Sequence, residues 1–315
     1  MWGNTLGWKI SAVIFLLAVA IGAWLHNQMQ ITAPTALSLD EKNLAALSPP
    51  APAQPIVDQN QPADAGEKYS AAIAAYGENE DACDEFAKNP VGPPPPPIQL
   101  VLDATNLSRM NLFAKNPQTI VDYQSDHPAL DDLSKIGQDL ESAALLCRKD
   151  HPDEARSLLR AAYALGANLY RERVDYDEFS QGMGLMNGAV TAMAEMEPAD
   201  SSRQKLLQTQ QQQILDFYDS NVRPIYDDVI SKADQQSIAE HAGDIFRFAA
   251  KSKEKMFRVE AILKLGRYRF DAARAADQLA APRFLRRFQH DPDPAVQAAA
   301  QAAANLTIEQ YRMIH

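Results

Sequence analysis

Residues 10–25 (ISAVIFLLAVAIGAWL) run for 16 positions without a charge. Lys9 bounds the run on one side and His26 on the other. At about 1.5 Å per residue it spans roughly 24 Å as a helix, a little short of a bilayer core. The three tryptophans of the chain stand at positions 2, 8 and 24. Trp8 and Trp24 sit at the two ends of the run, where an amphipathic ring prefers the headgroup level. Lys9 can snorkel outward from its boundary. The expectation is a single membrane-spanning anchor within residues 1–26. The competing reading is a cleaved secretory signal, with a short basic segment, an apolar core and an Ala18-Val19-Ala20 exit. Both readings carry the rest of the chain across the membrane. No Lys or Arg follows the run until Lys42, so the rule of basic residues inside puts the N-terminus in the cytoplasm and the bulk outside, in the periplasm if the cell is bacterial.

Beyond residue 26 the composition changes. Pro34, Pro49, Pro50, Pro52, Pro55 and Pro62 are spread through Ala-, Gln- and Ser-rich sequence. That mixture buries no core and favours extended, solvated chain. Residues 27–97 therefore read as a tether that holds one short helix, 67–76. The segment 78–85 (ENEDACDE) reads as solvated, and Pro93–Pro97 as a stiff polyproline II spacer.

From residue 98 the pattern turns helical. Leu130, Leu133, Ile136, Leu140, Ala144 and Cys147 fall on one face, with Asp126 placed to cap. Pro152 opens the next helix, whose stripe is Ala155, Leu158, Leu159, Ala162, Leu165, Leu169 and Tyr170. Asp175 and Glu178 have the spacing of a capping box. They lead into Phe179, Met183, Met186, Val190 and Met193. The segment 202–232 is Gln-rich, with Leu207, Ile214, Tyr218, Ile225 and Val229 inward and Pro224 set to kink it. The fold class is all-α, in two parts: a helical domain, 98–250, and a further helical unit, 251–315.

The C-terminal part contains a repeat. Val259-x-Ala261-x-x-x-Leu265-Gly266 returns 37 residues later as Val296-x-Ala298-x-x-x-Ala302-Ala303. Asp291-Pro292-Asp293-Pro294 stands before the second copy, and a helix at 275–288 lies between the copies. This resembles HEAT-like repeats, in which a D-x-D/P-x-V-R-x-x-A-x-x-x-L-G helix pairs with a second helix and the pairs stack. The resemblance covers residues 258–306; Gln297 stands where the family pattern has Arg, and the first copy lacks the Asp-Pro opening. It implies an α-solenoid surface for scaffolding or partner binding, without chemistry of its own.

Charge is unevenly placed. The whole chain carries −11, yet residues 40–244 hold 16 basic and 34 acidic residues, a net −18. Residues 247–287 hold 12 basic and 4 acidic, a net +8. The acidic body argues against nucleic-acid binding. The basic segment is the candidate interaction patch: Arg247, Lys251, Lys253, Lys255, Arg258, Arg267, Arg269, Arg274, Arg283, Arg286 and Arg287. Its natural partners are an acidic protein or anionic lipid headgroups beside the anchor; its bland counterpart is a solvated surface neutralised by the chain's own acidic body.

No catalytic motif is present, and no cofactor is expected. The six histidines lack metal-ligand spacing. Met183, Met186, Met193 and Met196 fall mostly on a helix seam, where methionine packs. Gly184 and Gly188 mark a place where another backbone can approach. Cys83 and Cys147 either form one bridge in an oxidising compartment or remain separate buried thiols. The expected function is a membrane-anchored helical scaffold that binds a partner protein. An enzyme of unfamiliar type, or an accessory subunit of a membrane complex, is the alternative.

Overall fold

A computed structural model describes residues 56–57, 59–113, 128–223, 255–272 and 275–314, with single positions 243, 246 and 250. The expected helical class holds: ten α-helices carry the described chain, beside one pair of very short strands. The strands are β1 (Gln61–Asp64) and β2 (Leu107–Arg109), paired in parallel. The sequence gives no sign of them, because three or four mostly exposed residues have no room for an apolar alternation.

The stretch 66–97, expected within the tether, is folded into the body. Helix α1 (Gly66–Lys88) buries Tyr69, Ala72, Tyr76, Cys83 and Phe86 along one side. The acidic segment is its outer face: Glu78, Glu80, Asp81 and Glu85 are exposed. Only part of the proline run is a spacer, because Pro96 and Pro97 form the first turn of α2 (Pro96–Asp103). Proline suits that turn, since its missing N–H has no helical partner there anyway.

Three long helices follow. α3 (Pro128–Cys147), α4 (Pro152–Glu172) and α5 (Tyr176–Met196) run up, down and up. Side-chain pairs fix the parallel register of α3 and α5. Ser134 donates to Gln181 at 2.5 Å, the Glu141 carboxylate lies over Gly188, and Arg148 pairs with Glu195 at 2.9 Å. The expected faces are the buried ones: Leu130, Leu133, Ile136 and Leu140 of α3, Leu158, Leu159, Leu165 and Leu169 of α4, Phe179, Met186, Val190 and Met193 of α5. Each such side chain contributes about 1.5–3 kcal/mol by leaving water. The buried Asn168 amide donates to the Tyr69 hydroxyl (3.0 Å) and the Leu107 carbonyl (3.3 Å), tying α4 to α1 and β2.

The close backbone approach is not where Gly184 and Gly188 suggest. Gly184 faces open space, and Gly188 makes room for Glu141. The backbones meet at Gly166 of α4 and Gly182 of α5. α6 (Ser202–Phe217) starts on a Ser201 cap and widens into a π turn at Tyr218–Val222. Pro224, expected to kink this segment, lies outside the described residues, as do Ile225, Val229 and the cap Asp126.

The C-terminal unit is α7 (Lys255–Asp271), α8 (Ala275–Phe288), α9 (Pro294–Asn305) and α10 (Ile308–Ile314). α7 packs on both α8 and α9. Asp293 caps α9, accepting the N–H groups of Ala295 (2.9 Å) and Val296 (3.4 Å), with Pro294 as the first helical residue. Val259 of α7 and Val296 of α9 are both fully buried. α7 also meets α5, and this seam joins the C-terminal unit to the helices before it.

Candidate interaction face and a carboxylate seam

Among the described residues the basic segment does not form one patch. A helix sends consecutive residues to every side, and the arginines and lysines separate accordingly. Arg258 forms an ion pair with Asp291, both side chains largely buried. Asp291 also accepts the N–H of Asp293 at 3.0 Å, so Arg258 holds the loop that starts α9. Arg269 donates to the carbonyls of Ala303 (2.8 Å), Ala304 (2.7 Å) and Leu306 (3.1 Å). Those carbonyls end α9 and have no helical donors, so a guanidinium there satisfies orphan acceptors and complements the negative end of the helix dipole. Both arginines are internal clamps, which corrects their expected place in an interaction surface.

Lys255 and Arg267 lie on α7 near the α5 seam, where they act electrostatically on Glu178 and Glu260 respectively. Arg283, Arg286 and Arg287 are exposed. With Leu279 they stand at i, i+4, i+7 and i+8 along α8, so one helix face carries them all. Leu279 is 63% exposed. The Arg287 guanidinium sits 5.3 Å over the Phe246 ring, which stacks on Phe284 at 4.6 Å. This face is a basic stripe with an apolar residue at one end. Arg247, Lys251, Lys253 and Arg274 lie outside the described residues.

Of the two readings of the cysteines, separate buried thiols is the one found: Cys83 and Cys147 are both free and buried. Cys83 lies level with Lys135 and Asp139 of α3, whose charges act on it. Cys147 is eight residues further along α3, about 12 Å at the helical rise. A disulfide needs Cα atoms within about 7 Å. Met186 and Met193 are buried in the core, and Met183 and Met196 pack against it. His151 is exposed at the start of α4 and His290 in the turn after α8, and the other four histidines lie outside the described residues. Among the described residues no group of His, Cys, Asp or Glu is arranged to hold a metal. None of the described helices is long and apolar enough to cross a membrane. The run 10–25, with Trp8, Lys9 and Trp24, lies outside them.

A second feature escaped the sequence reading. The turn between α4 and α5 gathers Glu172, Asp175 and Glu178, and Glu260 reaches it from α7. Asp175 caps α5 as its spacing predicts, accepting the Glu178 N–H at 2.8 Å. Glu178 takes the N–H of Val174 (2.5 Å), one residue before the cap. Glu172 accepts the Leu112 N–H at 3.2 Å, and Glu260 the Tyr176 N–H at 3.4 Å. Burial, with Glu172 and Asp175 adding repulsion, holds the Glu178 carboxyl well above the usual range. Burial, then Asp175 and Asp177, pushes Glu260 up to about 8. The capping box made Glu178 legible; nothing local marks Glu260, whose acceptor role depends on a turn 84 residues away.

No family model, no curated protein and no solved structure matches the chain.

Proposed function

We propose that this chain is a membrane-anchored helical scaffold, its bulk outside the cytoplasm, that binds an acidic partner protein through the outer face of α8. The observation that carries the reading is the stripe Leu279–Arg283–Arg286–Arg287, a positive face on a chain whose net charge is −11. An exposed leucine beside three arginines suits an acidic, partly apolar helix: the leucine supplies contact area and the guanidinium groups supply bidentate recognition of carboxylates. The likeness of residues 258–306 to HEAT-like repeats supports a binding role. The uncharged run at 10–25, with Trp8 and Trp24 at its ends and Lys9 at its border, supports the anchor and its orientation.

The test uses the full chain in nanodiscs of neutral lipid. Wild type and the Arg283→Glu/Arg286→Glu variant are compared for capture of proteins from the same cells. Capture should be lost in the variant, fall steeply with salt, and be competed by a polyglutamate peptide. Equal capture by both proteins at every salt concentration would sink the reading. Binding only to vesicles with anionic headgroups, without a captured protein, would replace the acidic protein by a lipid surface. Protease added outside intact cells or spheroplasts should remove the body and leave a membrane-bound stub; a protected body would overturn the orientation.

A further inference from the structure

Helix α1 turns two contrasting faces. Tyr69, Ala72, Tyr76, Cys83 and Phe86 are buried against the body. On the opposite side Glu67, Ala71, Ala74, Glu78, Asp81 and Glu85 are all exposed. They recur at alternating steps of four and three residues, so they form one stripe along the helix. On the flank of α1, Asp84 pairs with Lys135 at 2.8 Å. On the outer stripe, none of Glu67, Glu78, Asp81 and Glu85 has an ion-pair partner among the described residues. Glu78, Asp81 and Glu85 stand three and four residues apart, where like charges repel.

The α8 stripe has the same spacing with the opposite charge. Leu279, Arg283 and Arg286 stand at i, i+4 and i+7, and so do Ala74, Glu78 and Asp81. Laid side by side in the same direction, the two helices set Leu279 against Ala74, Arg283 against Glu78 and Arg286 against Asp81. Arg287 then stops about one turn short of Glu85, within the reach of a long side chain. The small Ala74 leaves room for the leucine. Within one copy the two faces do not meet. Both are exposed, and α1 packs on α3, α3 on α5, α5 on α7 and α7 on α8, so three helices stand between them.

We propose that the acidic partner of the α8 face is a second copy of this chain, which presents the outer face of its α1. This rests on α8 being a surface for an acidic helix, and it gives that helix an identity. The contact is heterologous: each copy offers α8 to one neighbour and α1 to another, so contacts propagate as a row or close into a ring. Exposed ion pairs are individually weak, and it is several acting as a network, with an apolar contact at one end, that hold two copies together. Chains held in one membrane by the proposed anchor also meet at a raised effective concentration.

Oxidative cross-linking of the full chain in vesicles of neutral lipid tests this. One copy carries Ala74→Cys and the other Leu279→Cys, while the native cysteines are buried. Under a mild oxidant the mixture should give a covalent dimer, and either variant alone should not. The dimer should be lost at about 1 M salt, where charges are screened within about 3 Å. Adding Glu78→Arg/Asp81→Arg to the Ala74→Cys copy should abolish it. Adding Arg283→Glu/Arg286→Glu to the other copy as well should restore it, which a misfolded variant cannot do. A mixture that gives no dimer overturns the second copy as the partner. If wild type then still binds polyglutamate and the Arg283→Glu/Arg286→Glu variant does not, the α8 face stands as a surface for another acidic protein; if the two bind it equally, or neither does, the reading of α8 falls too. A dimer that survives 1 M salt, or that the charge swap does not restore, also overturns the proposal.

Discussion

Gly166 and Gly182 meet backbone to backbone: a Cβ on Gly166 would lie 2.7 Å from the Gly182 carbonyl oxygen, and one on Gly182 would lie 2.8 Å from that of Gly166. Tyr170 N stands 2.7 Å from the second position as well. No flexible side chain is there to yield, so α4 and α5 must part to admit a methyl group. Gly166→Ala and Gly182→Ala should each destabilise the protein by about 1–3 kcal/mol. Gly184, two residues on, faces open space. There alanine should stabilise by about 0.5–1 kcal/mol, the ordinary helix propensity gain. Denaturant unfolding of the three variants decides the matter. Equal effects at 182 and 184 would mean that the two helices do not cross at these glycines.

Glu141 presents its carboxylate to Gly188, and its Oε1 is buried without a partner. Burial pushes this carboxyl up to about 7, against an ordinary value of 4.5, with only the Ala189 backbone pulling it down. The folded value is raised, so its contribution to stability is complete below 4.5 and is lost as pH rises through about 7. At about 1.36 kcal/mol per unit, the loss reaches about 3 kcal/mol at most. Glu141→Gln should flatten the fall in denaturation midpoint between pH 5 and 7.5. An equally steep fall in the variant would assign that pH dependence to other groups.

Much of this architecture was legible because α3 and α5 bury one main stripe each, and because the apolar stripe of α4 marks a helix that is buried on every side between residues 161 and 169. Leu130 to Cys147 and Phe179 to Met193 repeat at three and four residues, and no competing signal interrupts them. The reading failed where composition and geometry diverge. Prolines and acids made 66–97 look like tether, although Tyr69, Tyr76 and Phe86 recur at helical spacing and Pro96 and Pro97 suit a first turn. The basic segment failed for another reason. Proximity along a chain is not proximity on a surface: Arg258 and Arg269 turn inward to partners more than thirty residues away, whereas Arg283, Arg286 and Arg287 share an outer face. A local sequence pattern carries no record of an acceptor so distant.

The two thiols should be inert in the folded protein. Burial, reinforced by Asp139, pushes Cys83 up to about 11, and burial raises Cys147, whose Sγ–H lies 3.7 Å from the Ala144 carbonyl. The thiolate is the nucleophile, and little of it exists at neutral pH under such shifts. A thiol reagent at pH 7.5 should modify neither residue within the time that labels both in denaturant. Migration on gels should be the same with and without reductant. Rapid native labelling of Cys83 would mean that α1 opens from α3 far more readily than its buried face suggests.

Arginine substitutions separate clamp from surface. Arg269 satisfies three carbonyls at the end of α9, and replacing it by Met leaves those acceptors without their donor while retaining some of the apolar stem packing. The expected cost is about 1.5–3 kcal/mol, the range for hydrogen bonds from a charged group. Arg269→Lys should recover only part of it, because a single ammonium does not reproduce the planar fork. Arg286 is exposed on α8, and Arg286→Met should change stability by less than about 0.5 kcal/mol. Measured on partner capture, the order should reverse. Arg286→Met should weaken association and reduce its salt dependence, while Arg269→Lys, at temperatures where it remains folded, should leave both unchanged. If Arg269→Lys and Arg286→Met weaken capture equally at matched folded fraction, the binding surface is not the outer face of α8 but extends across the end of α9.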